Sequence, residues 1–424
     1  MNALVKNKGY VTLMIAQTIS SIGDWLSIVA VITLVGLKWD ASPMEVSLII
    51  LCLALPMALF GPVAGTVADR MSRKALMITS DLVRAGLILF LTVADSLLIV
   101  YVCLFTVGAF SAIFIPAKNG KLKELVTDSN MKSAMAITSM IDSSTKVIGP
   151  LLSGILVSIL GSQLVFMIDS GTFLLSALLI VFLPSALSTT NPMTGENDKP
   201  SFVKEFSQGV TYVKSNAQLL VGLFFLGISL LIVQLSDSQL IVLLRQLTDV
   251  SPDLFGYLVA SSGIGMFLSG MILAKKTNYQ AFSYMMLGVC GIGLSFGMMA
   301  VLTYYDIGFS IVWGPLFGVL AGFAVSFVFV PFQATVQVDT PVQMTGRVFG
   351  VINSVTTTAT IIGPLLGGWL STIIGVIPTF MMTASLLVLL SVAGFLKKSK
   401  RKWRKRDVSK SQQGTHGETT SEHT

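Results

Sequence analysis

The chain has 424 residues, of which 53% are hydrophobic and 12% are charged. Soluble domains carry about 25% charged residues, so this composition excludes a soluble protein and predicts an integral membrane protein. The three cysteines lie in apolar stretches and both histidines lie in the polar tail, so the sequence predicts no disulfide framework, no metal, no cofactor and no enzyme.

Apolar stretches long enough to cross a membrane follow one another along the chain, and the first is too long for a cleavable signal sequence. We expect an all-α polytopic protein of two pseudo-symmetric six-helix bundles, residues 1–190 and 219–397, with a cytoplasmic linker (191–218) and a cytoplasmic tail (398–424). At roughly 20 residues per span, the sequence predicts about twelve spans: 10–37, 43–68, 75–93, 97–116, 132–160, 163–183, 219–244, 254–273, 282–304, 308–331, 347–374 and 376–396.

Ionisable residues inside the spans are the candidate functional groups, because a charge in hydrocarbon is costly. Asp24 lies in the first span, and Gln17, Ser20, Ser21 and Ser27 share its face at helical spacing. This polar stripe predicts the lining of a water-filled cavity between the two halves, in which Asp24 binds a proton or a cation. A structural polar contact is the alternative.

A charged segment, residues 65–74, separates the second and third spans and must lie at a membrane surface. It contains Gly65, Asp69, Arg70, Arg73 and Lys74. A basic stop between two spans is the simpler interpretation, but it requires neither the glycine nor the aspartate.

The pattern of this segment, G-x-x-A-D-R-x-S-R-K, resembles the loop between the second and third helices of major facilitator superfamily transporters, with Ser72 where the family usually has a second glycine. Together with residues 81–85 and 114–117, it is similar to the macrolide-efflux and siderophore-exporter branch of drug:proton antiporters. The resemblance implies the twelve-helix fold of that family. It also implies that Asp69 pins the two halves together on the cytoplasmic side. We expect Asp81 and Arg84 to brace the loop.

The fifth and sixth spans carry further polar residues. Ser139, Asp142, Ser143 and Lys146 share one face of the fifth span. Asp142 and Lys146 are four residues apart and can pair with each other, so a structural couple and a role in proton coupling both fit. We expect Asp169 in the sixth span to be an isolated carboxylate, hydrogen-bonded to a neighbouring serine.

An internal repeat links the two halves of the chain. Gly149-Pro150 recurs as Gly363-Pro364, a shift of 214 residues from position 149 to position 363, and the flanking residues keep the same register. This predicts parallel repeats about an axis normal to the membrane, although convergent use of Gly and Pro is the alternative. We expect each Gly-Pro pair to kink its helix and to admit a close neighbour.

The second half carries one acidic candidate, Asp237, with Gln234 and Ser238 on the same face of the seventh span. Asp237 lies 213 residues after Asp24, and this separation is close to the shift of 214 residues between the two Gly-Pro pairs. We therefore predict that the two carboxylates are pseudo-symmetric partners that face one cavity, where Asp237 binds a proton or a cation or makes a structural contact.

Basic residues predict the orientation of the chain. Placing both termini in the cytoplasm puts nearly all of them inside and leaves only Lys38 and Arg245 in outer turns. Residues 202–213 read as an amphipathic helix on the inner membrane face or as a tethered regulatory element. The tail begins with eight cations in residues 397–406, which suit anionic lipid headgroups, and we expect disorder past Asp407.

We predict a secondary active transporter that exports amphipathic drugs or similar small molecules in exchange for protons by alternating access. We expect a monomer in the cell membrane, with lipids but no nucleic acid as partners. Solute import and siderophore or lipid translocation are alternatives. Many antiporters of the family carry an arginine in helix four, whereas span 97–116 has no charged residue, so proton transfer falls to Asp24, Asp142 and Asp237.

Overall fold

The structure, a computed structural model, describes residues 4, 6–184, 202–248, 251, 253–275, 280–341 and 344–414, and these residues form helices without any β-strand. A π-helical turn, Leu34–Lys38, extends the first helix. The helices are α1 (Lys8–Thr33), α2 (Pro43–Arg70), α3 (Arg73–Phe90), α4 (Leu97–Leu125), α5 (Asp128–Val181), α6 (Phe202–Ser215), α7 (Ala217–Asp237), α8 (Leu240–Leu244), α9 (Leu254–Lys275), α10 (Ala281–Tyr304), α11 (Ser310–Asp339), α12 (Thr345–Ile374) and α13 (Val376–Gly414).

Among the described residues, eleven helices are long and apolar enough to cross a membrane. The predicted fifth and sixth spans both lie in α5, which is interrupted at Gly161 by non-helical backbone (φ 74°, ψ 166°). Trp25 packs on Gly149 in the first arm of α5, while Ser27 donates a hydrogen bond to Asp169 in the second arm. Residues 149 and 169 would be about 30 Å apart in a straight helix, so the chain must reverse at Gly161 and α5 supplies two spans.

The same helix pairings occur in both halves of the chain. In the first half, α1 packs on α5, α2 on α4, and α3 on α4 and α5; in the second, α7 packs on α12 and α13, α9 on α11, and α10 on α11 and α13. Gly161 and Gly375 both have positive φ and extended ψ, and they are separated by the same 214 positions as the two Gly-Pro pairs. The predicted fold class of two pseudo-symmetric six-helix bundles is confirmed.

Several predicted boundaries are corrected. The segment 65–74 is mostly helical, because α2 continues to Arg70 and α3 begins at Arg73 with Ser72 as its N-cap. Helix α4 continues through Pro116 to Leu125, which lengthens the predicted fourth span. The final helix extends to Gly414, past the point where disorder was expected. Residues 185–201, which include the first part of the linker, and residues 415–424 lie outside the described residues.

The two halves meet at one end of the bundle, which we call the Arg245 end. A hydrophobic cluster there joins first-half residues such as Val35 and Val46 to Ile241 and Leu244 of the second half. The opposite end, the Arg73 end, has a separate cluster around Leu13, Met77 and Leu122 that contains only first-half residues. The conformation is therefore closed at the Arg245 end.

Replacing Gly161 with alanine should lower the melting temperature, because its backbone lies in a region that is essentially restricted to glycine and costs about 1–3 kcal/mol for other residues. A Cβ at position 161 meets no atom within 4 Å, so only the backbone conformation is tested. Gly171→Ala is the matched control, since it is a helical glycine that also has open space around it. Thermal unfolding of the purified variants in detergent checks this, and equal melting temperatures for the two variants would contradict it.

Candidate functional site

A cavity of 510 Å³ lies within the first half of the bundle and collects most of its intramembrane charges. Helices α1 to α5 all contribute to its wall. The ionisable residues in its lining are Asp24, Arg84, Lys118, Asp142 and Asp169.

Arg84 is the centre of this polar cluster. Its side chain is 2% exposed and forms an ion pair with Asp81, while its Nη1 atom lies 3.6 Å from Asp24 Oδ1. The guanidinium Cζ atom is 4.7 Å from the centroid of the Phe114 ring and 4.4 Å from that of Phe173. A guanidinium held by carboxylates and between two aromatic faces combines ion pairing with cation–π attraction.

This geometry corrects the expectation that Asp81 and Arg84 brace the charged segment. Arg84 lies eleven residues beyond Arg73 along α3, and a helix rises 1.5 Å per residue, so its Cα atom is about 16 Å away. Asp81 is fully buried and accepts a hydrogen bond from Ser176 (2.7 Å). Both residues belong to the cavity cluster.

The polar stripe of α1 lines this cavity, whose described lining comes from the first half alone, whereas the sequence predicted a cavity between the two halves. The Asp24 side chain is 45% exposed within the cavity. Gln17 Nε2 donates a hydrogen bond to Asp142 Oδ1 at 2.7 Å. The predicted partner of Asp142, Lys146, has a side chain that lies outside the described residues.

Asp169 has a serine partner, as the sequence predicted, but it is not isolated, because it also accepts a hydrogen bond from a threonine and lies beside the polar cluster. Its carboxylate is fully buried and accepts hydrogen bonds from Ser27 of α1 and from Thr172 (3.0 Å). The serine partner comes from another helix, because the second arm of α5 packs along α1. Asp169 therefore fixes the position of α1 beside the ion pairs of Arg84.

Lys118 was missed by the sequence analysis, which ended the fourth span at Pro116. Because α4 continues past this proline, Lys118 and Asn119 lie in the wall of the charged cavity. The fourth helix therefore does bring a cation to the site. No local signal predicts this continuation, since Asn119 and Gly120 are residue types that typically follow the end of a helix.

A second cavity of 290 Å³ lies in the other half, between α7, α9, α10 and α11. Asp237 is the one charged residue in its described lining, and Trp25 of α1 completes the wall. Asp24 and Asp237 thus line separate cavities, whereas one common cavity was expected. Gln234 faces the second cavity, while Ser238 donates its hydroxyl to the Gln234 carbonyl.

The Gly-Pro pairs place small residues where neighbouring helices come closest. Gly149 lies against the Trp25 ring, and Gly363 lies against Gln234. Helices α5 and α12 stay helical through Pro150 and Pro364. Neighbouring helices therefore approach closely at both Gly-Pro pairs, as predicted. The predicted kink is not accompanied by a break in the helical dihedral angles at either pair.

Polar bonds reinforce the closed Arg245 end. Arg245 Nε lies 2.8 Å from Asp40, and its Nη1 atom donates to the carbonyls of Gly36 (3.0 Å) and Ala41 (2.7 Å). Ser47 accepts a hydrogen bond from Gln239 (2.7 Å) and donates one to the Pro364 carbonyl (2.6 Å). Each of these bonds joins one half of the chain to the other.

At the Arg73 end, the described polar bonds of the charged segment stay within the first half. Arg73 contacts Glu124 (2.9 Å) and the Gly120 carbonyl (3.1 Å), and Lys74 donates to two carbonyls of the α5 end at 2.7 Å. Arg70 is exposed, and a Cβ at Gly65 would meet no atom within 4 Å. The side chain of Asp69 lies outside the described residues.

Comparisons with known proteins agree on one family. The family model described as Major Facilitator Superfamily matches residues 13–362. The chain is 37% identical over 411 residues to the uncharacterized MFS-type transporter YfiS of Bacillus subtilis, covering 97% of this chain and 98% of that protein. It is 23% identical to macrolide efflux protein A of Streptococcus pyogenes, covering 90% and 94%. A crystal structure of a POT family transporter in complex with 5-aminolevulinic acid matches with a TM-score of 0.70 at 14% identity, covering 93% of this chain and 96% of that one. At that identity, the likeness shows the fold alone.

Replacing Arg84 with glutamine should lower stability strongly, because Asp24 and Asp81 would lose their shared cation; breaking a buried ion pair costs about 3–5 kcal/mol. The double variant Asp81→Asn/Arg84→Gln should recover part of this loss, since it removes both charges of the pair. Thermal unfolding in detergent measures both effects. Arg70→Gln, at an exposed arginine, is the control, and an equal effect at both arginines would contradict the assignment.

Proposed function

Because this chain belongs to the Major Facilitator Superfamily, a family of membrane transporters, we propose that it exports amphipathic small molecules in exchange for protons by alternating access. The observation that carries the proposal is the ionic cluster of Asp24, Asp81 and Arg84 at a cavity in a bundle that is closed at the Arg245 end. Ionisable groups buried in a membrane protein are typical of proton pathways.

The orientation follows from the basic residues. Arg70, Arg73 and Lys74 lie at one end of the bundle, and the positive-inside rule assigns that end to the cytoplasm together with both termini. The Arg245 end then faces outward, so the conformation is closed to the outside and corresponds to an inward-open state. A substrate would enter from the cytoplasm, as export requires.

The proton site is proposed to be Asp24. The charged groups around it are Arg84 and Asp81 of α3, Asp169 of α5 and, within the same cavity, Lys118 and Asp142. A proton on Asp24 removes its attraction for the guanidinium and leaves Arg84 paired with Asp81. Helix α1 then loses one of the contacts that hold it against α3.

Helix α1 also connects the two cavities. Asp24 faces the first cavity, and the next residue, Trp25, packs on Gly149 and lines the second. A shift of α1 caused by protonation of Asp24 would therefore change the wall of the second cavity. This contact supplies a physical route from the proton to the substrate.

The substrate class is proposed from the charges and the lining. The first cavity carries three carboxylates against two cations, and the second carries one carboxylate among apolar side chains. Such a balance favours amphipathic or cationic molecules over sugars, which require many hydrogen-bonding groups. The relative named macrolide efflux protein A supports a substrate of this kind.

Inside-out membrane vesicles provide the direct test. We expect an acid-inside proton gradient to drive accumulation of a macrolide such as erythromycin, and a protonophore to abolish it. Asp24→Asn should lower the rate of gradient-driven accumulation at least about tenfold, equivalent to 1.4 kcal/mol of activation free energy. The variant should still exchange labelled for unlabelled substrate across the membrane. Asp95→Asn, in an exposed turn, is the control. Gradient-driven movement out of these vesicles would indicate import instead, and the absence of proton-linked flux would contradict the proposal.

The Arg245 end must open during transport, so locking it should stop the cycle. A Cβ at Gly368 would lie 3.0 Å from Ser47 Cβ, so α2 and α12 need to separate by only about 1 Å to reach the Cβ–Cβ distance of roughly 3.8 Å found in disulfides. In a chain whose Cys52, Cys103 and Cys290 are replaced with alanine, Ser47→Cys/Gly368→Cys should cross-link on oxidation and lose transport, and a reductant should restore it. The two single variants are the controls. Full transport by the cross-linked protein would rule out opening at this end.

A further inference from the structure

We propose that α12 carries a neutral hydrogen-bonding wall, formed by Asn353, Ser354 and Thr357, that selects amphipathic substrates by their hydroxyl groups. The wall faces the opening between the two halves, and α2 supplies an apolar wall on the opposite side. The inference rests on the proposed transport function and deepens it, because it names the chemical groups that a substrate must carry.

One face of α12 is polar over a part of the helix that lies within a membrane span. Asn353, Ser354, Thr357 and Thr358 are all exposed, and they recur at spacings of three and four residues. No charged residue lies between positions 348 and 374. Polar residues in membrane helices usually border the bundle interior or water, so lipid is a poor neighbour for this face.

The direction of the polar face follows from the contact at the Arg245 end. Gly368 lies against Ser47 of α2, and the Pro364 carbonyl accepts a hydrogen bond from the same serine. Thr357 lies eleven residues before Gly368, which is about three turns of a helix with 3.6 residues per turn. Thr357 is therefore on the same side of α12 as Gly368, the side that faces the first half.

The two halves separate along this side of α12. A Cβ at Gly368 would lie 3.0 Å from Ser47 Cβ, whereas a Cβ at Gly350 would meet no atom within 4 Å. Gly350 lies eighteen residues before Gly368, or about five turns, so both glycines are on one face. Gly65 lies eighteen residues after Ser47 on α2, and a Cβ there also meets no atom within 4 Å. The gap between α2 and α12 thus widens toward the Arg73 end.

The wall on the α2 side of this gap is apolar. Ala54 and Ala58 lie seven and eleven residues after Ser47, which places them on the face of α2 that meets α12. Ala58 is exposed and is as far along its helix from the closed contact as Thr357 is. A sugar, which is polar on every side, would leave hydroxyl groups against α2, whereas an amphipathic molecule matches both walls.

The hydroxyl groups on the α12 side are oriented to accept hydrogen bonds. Ser354 donates its hydroxyl hydrogen to the Gly350 carbonyl (2.9 Å), and Thr358 donates to the Ser354 carbonyl (2.7 Å). Each hydroxyl oxygen has two lone pairs with which it can accept from a further partner, and the Asn353 amide adds donors and an acceptor. A substrate hydroxyl group, which both donates and accepts, complements such a wall, and this recognition requires no charge on the substrate.

Equilibrium binding to the purified full-length protein in detergent tests the proposal at constant pH without a gradient. The probes are labelled erythromycin, which is rich in hydroxyl groups, and tetraphenylphosphonium, an amphipathic cation without a hydrogen-bonding group. We expect Thr357→Val to weaken erythromycin binding about fivefold and Ser354→Ala/Thr357→Val about twentyfold, as for the loss of one and of two neutral hydrogen bonds. Thr357→Ser, which keeps the hydroxyl group, should bind erythromycin like wild type, and the affinity for tetraphenylphosphonium should not change.

Thr372→Val is the matched control, because it removes an exposed hydroxyl group from the same helix beyond the closed contact. The proposal is overturned if wild type does not bind erythromycin, if the double variant binds it as tightly as wild type, or if Thr357→Ser weakens binding as much as Thr357→Val. An equal loss of tetraphenylphosphonium affinity would also contradict it. The proposed export fails separately, if proton-linked flux is absent from vesicles while erythromycin still binds through the α12 wall.

Discussion

The structure depends on the need to neutralise a guanidinium inside a membrane. Arg84 is buried in α3, where an uncompensated charge would be prohibitively costly. Asp81 on the same helix and Asp24 on α1 supply the opposite charge, and the rings of Phe114 and Phe173 enclose the remaining surface. Helices α1, α3, α4 and α5 all contribute to this one cluster. Their mutual positions, and hence the first cavity, follow from it.

The two halves share a fold but differ in chemistry. Equivalent helix pairings and the paired glycine turns at residues 161 and 375 reflect an internal repeat. The first half places its charges in a dense network, whereas the second surrounds the single carboxylate of Asp237 with apolar side chains. Trp25 crosses from one half into the cavity of the other, so the two environments are in physical contact. A repeat in sequence therefore does not imply that equivalent residues have equivalent roles.

Closure at one end is achieved by both apolar packing and polar bonds. Arg245 reaches across to Asp40 and two carbonyls, and Ser47 reaches the Pro364 carbonyl. Small residues in α2, α5, α9 and α12 let the backbones of the two halves approach closely; Gly154 and Gly256, for example, lie against each other. At the other end, the described bonds of Arg73 and Lys74 have partners in the first half.

The sequence by itself determined the number of spans, the position of the repeat and the identity of the intramembrane carboxylates, because hydrophobic length, Gly-Pro spacing and residue charge are local properties. It also predicted that Gln17 and Asp24 share a polar face, since that follows from helical periodicity alone. Only the tertiary structure decided that Arg84 belongs to the cavity, that Ser27 binds Asp169, that Lys118 reaches the same cavity and that Asp24 and Asp237 are separated. Each of these depends on how far a helix continues and how it is rotated against its neighbours. Those quantities are set by packing between residues that are distant in the chain.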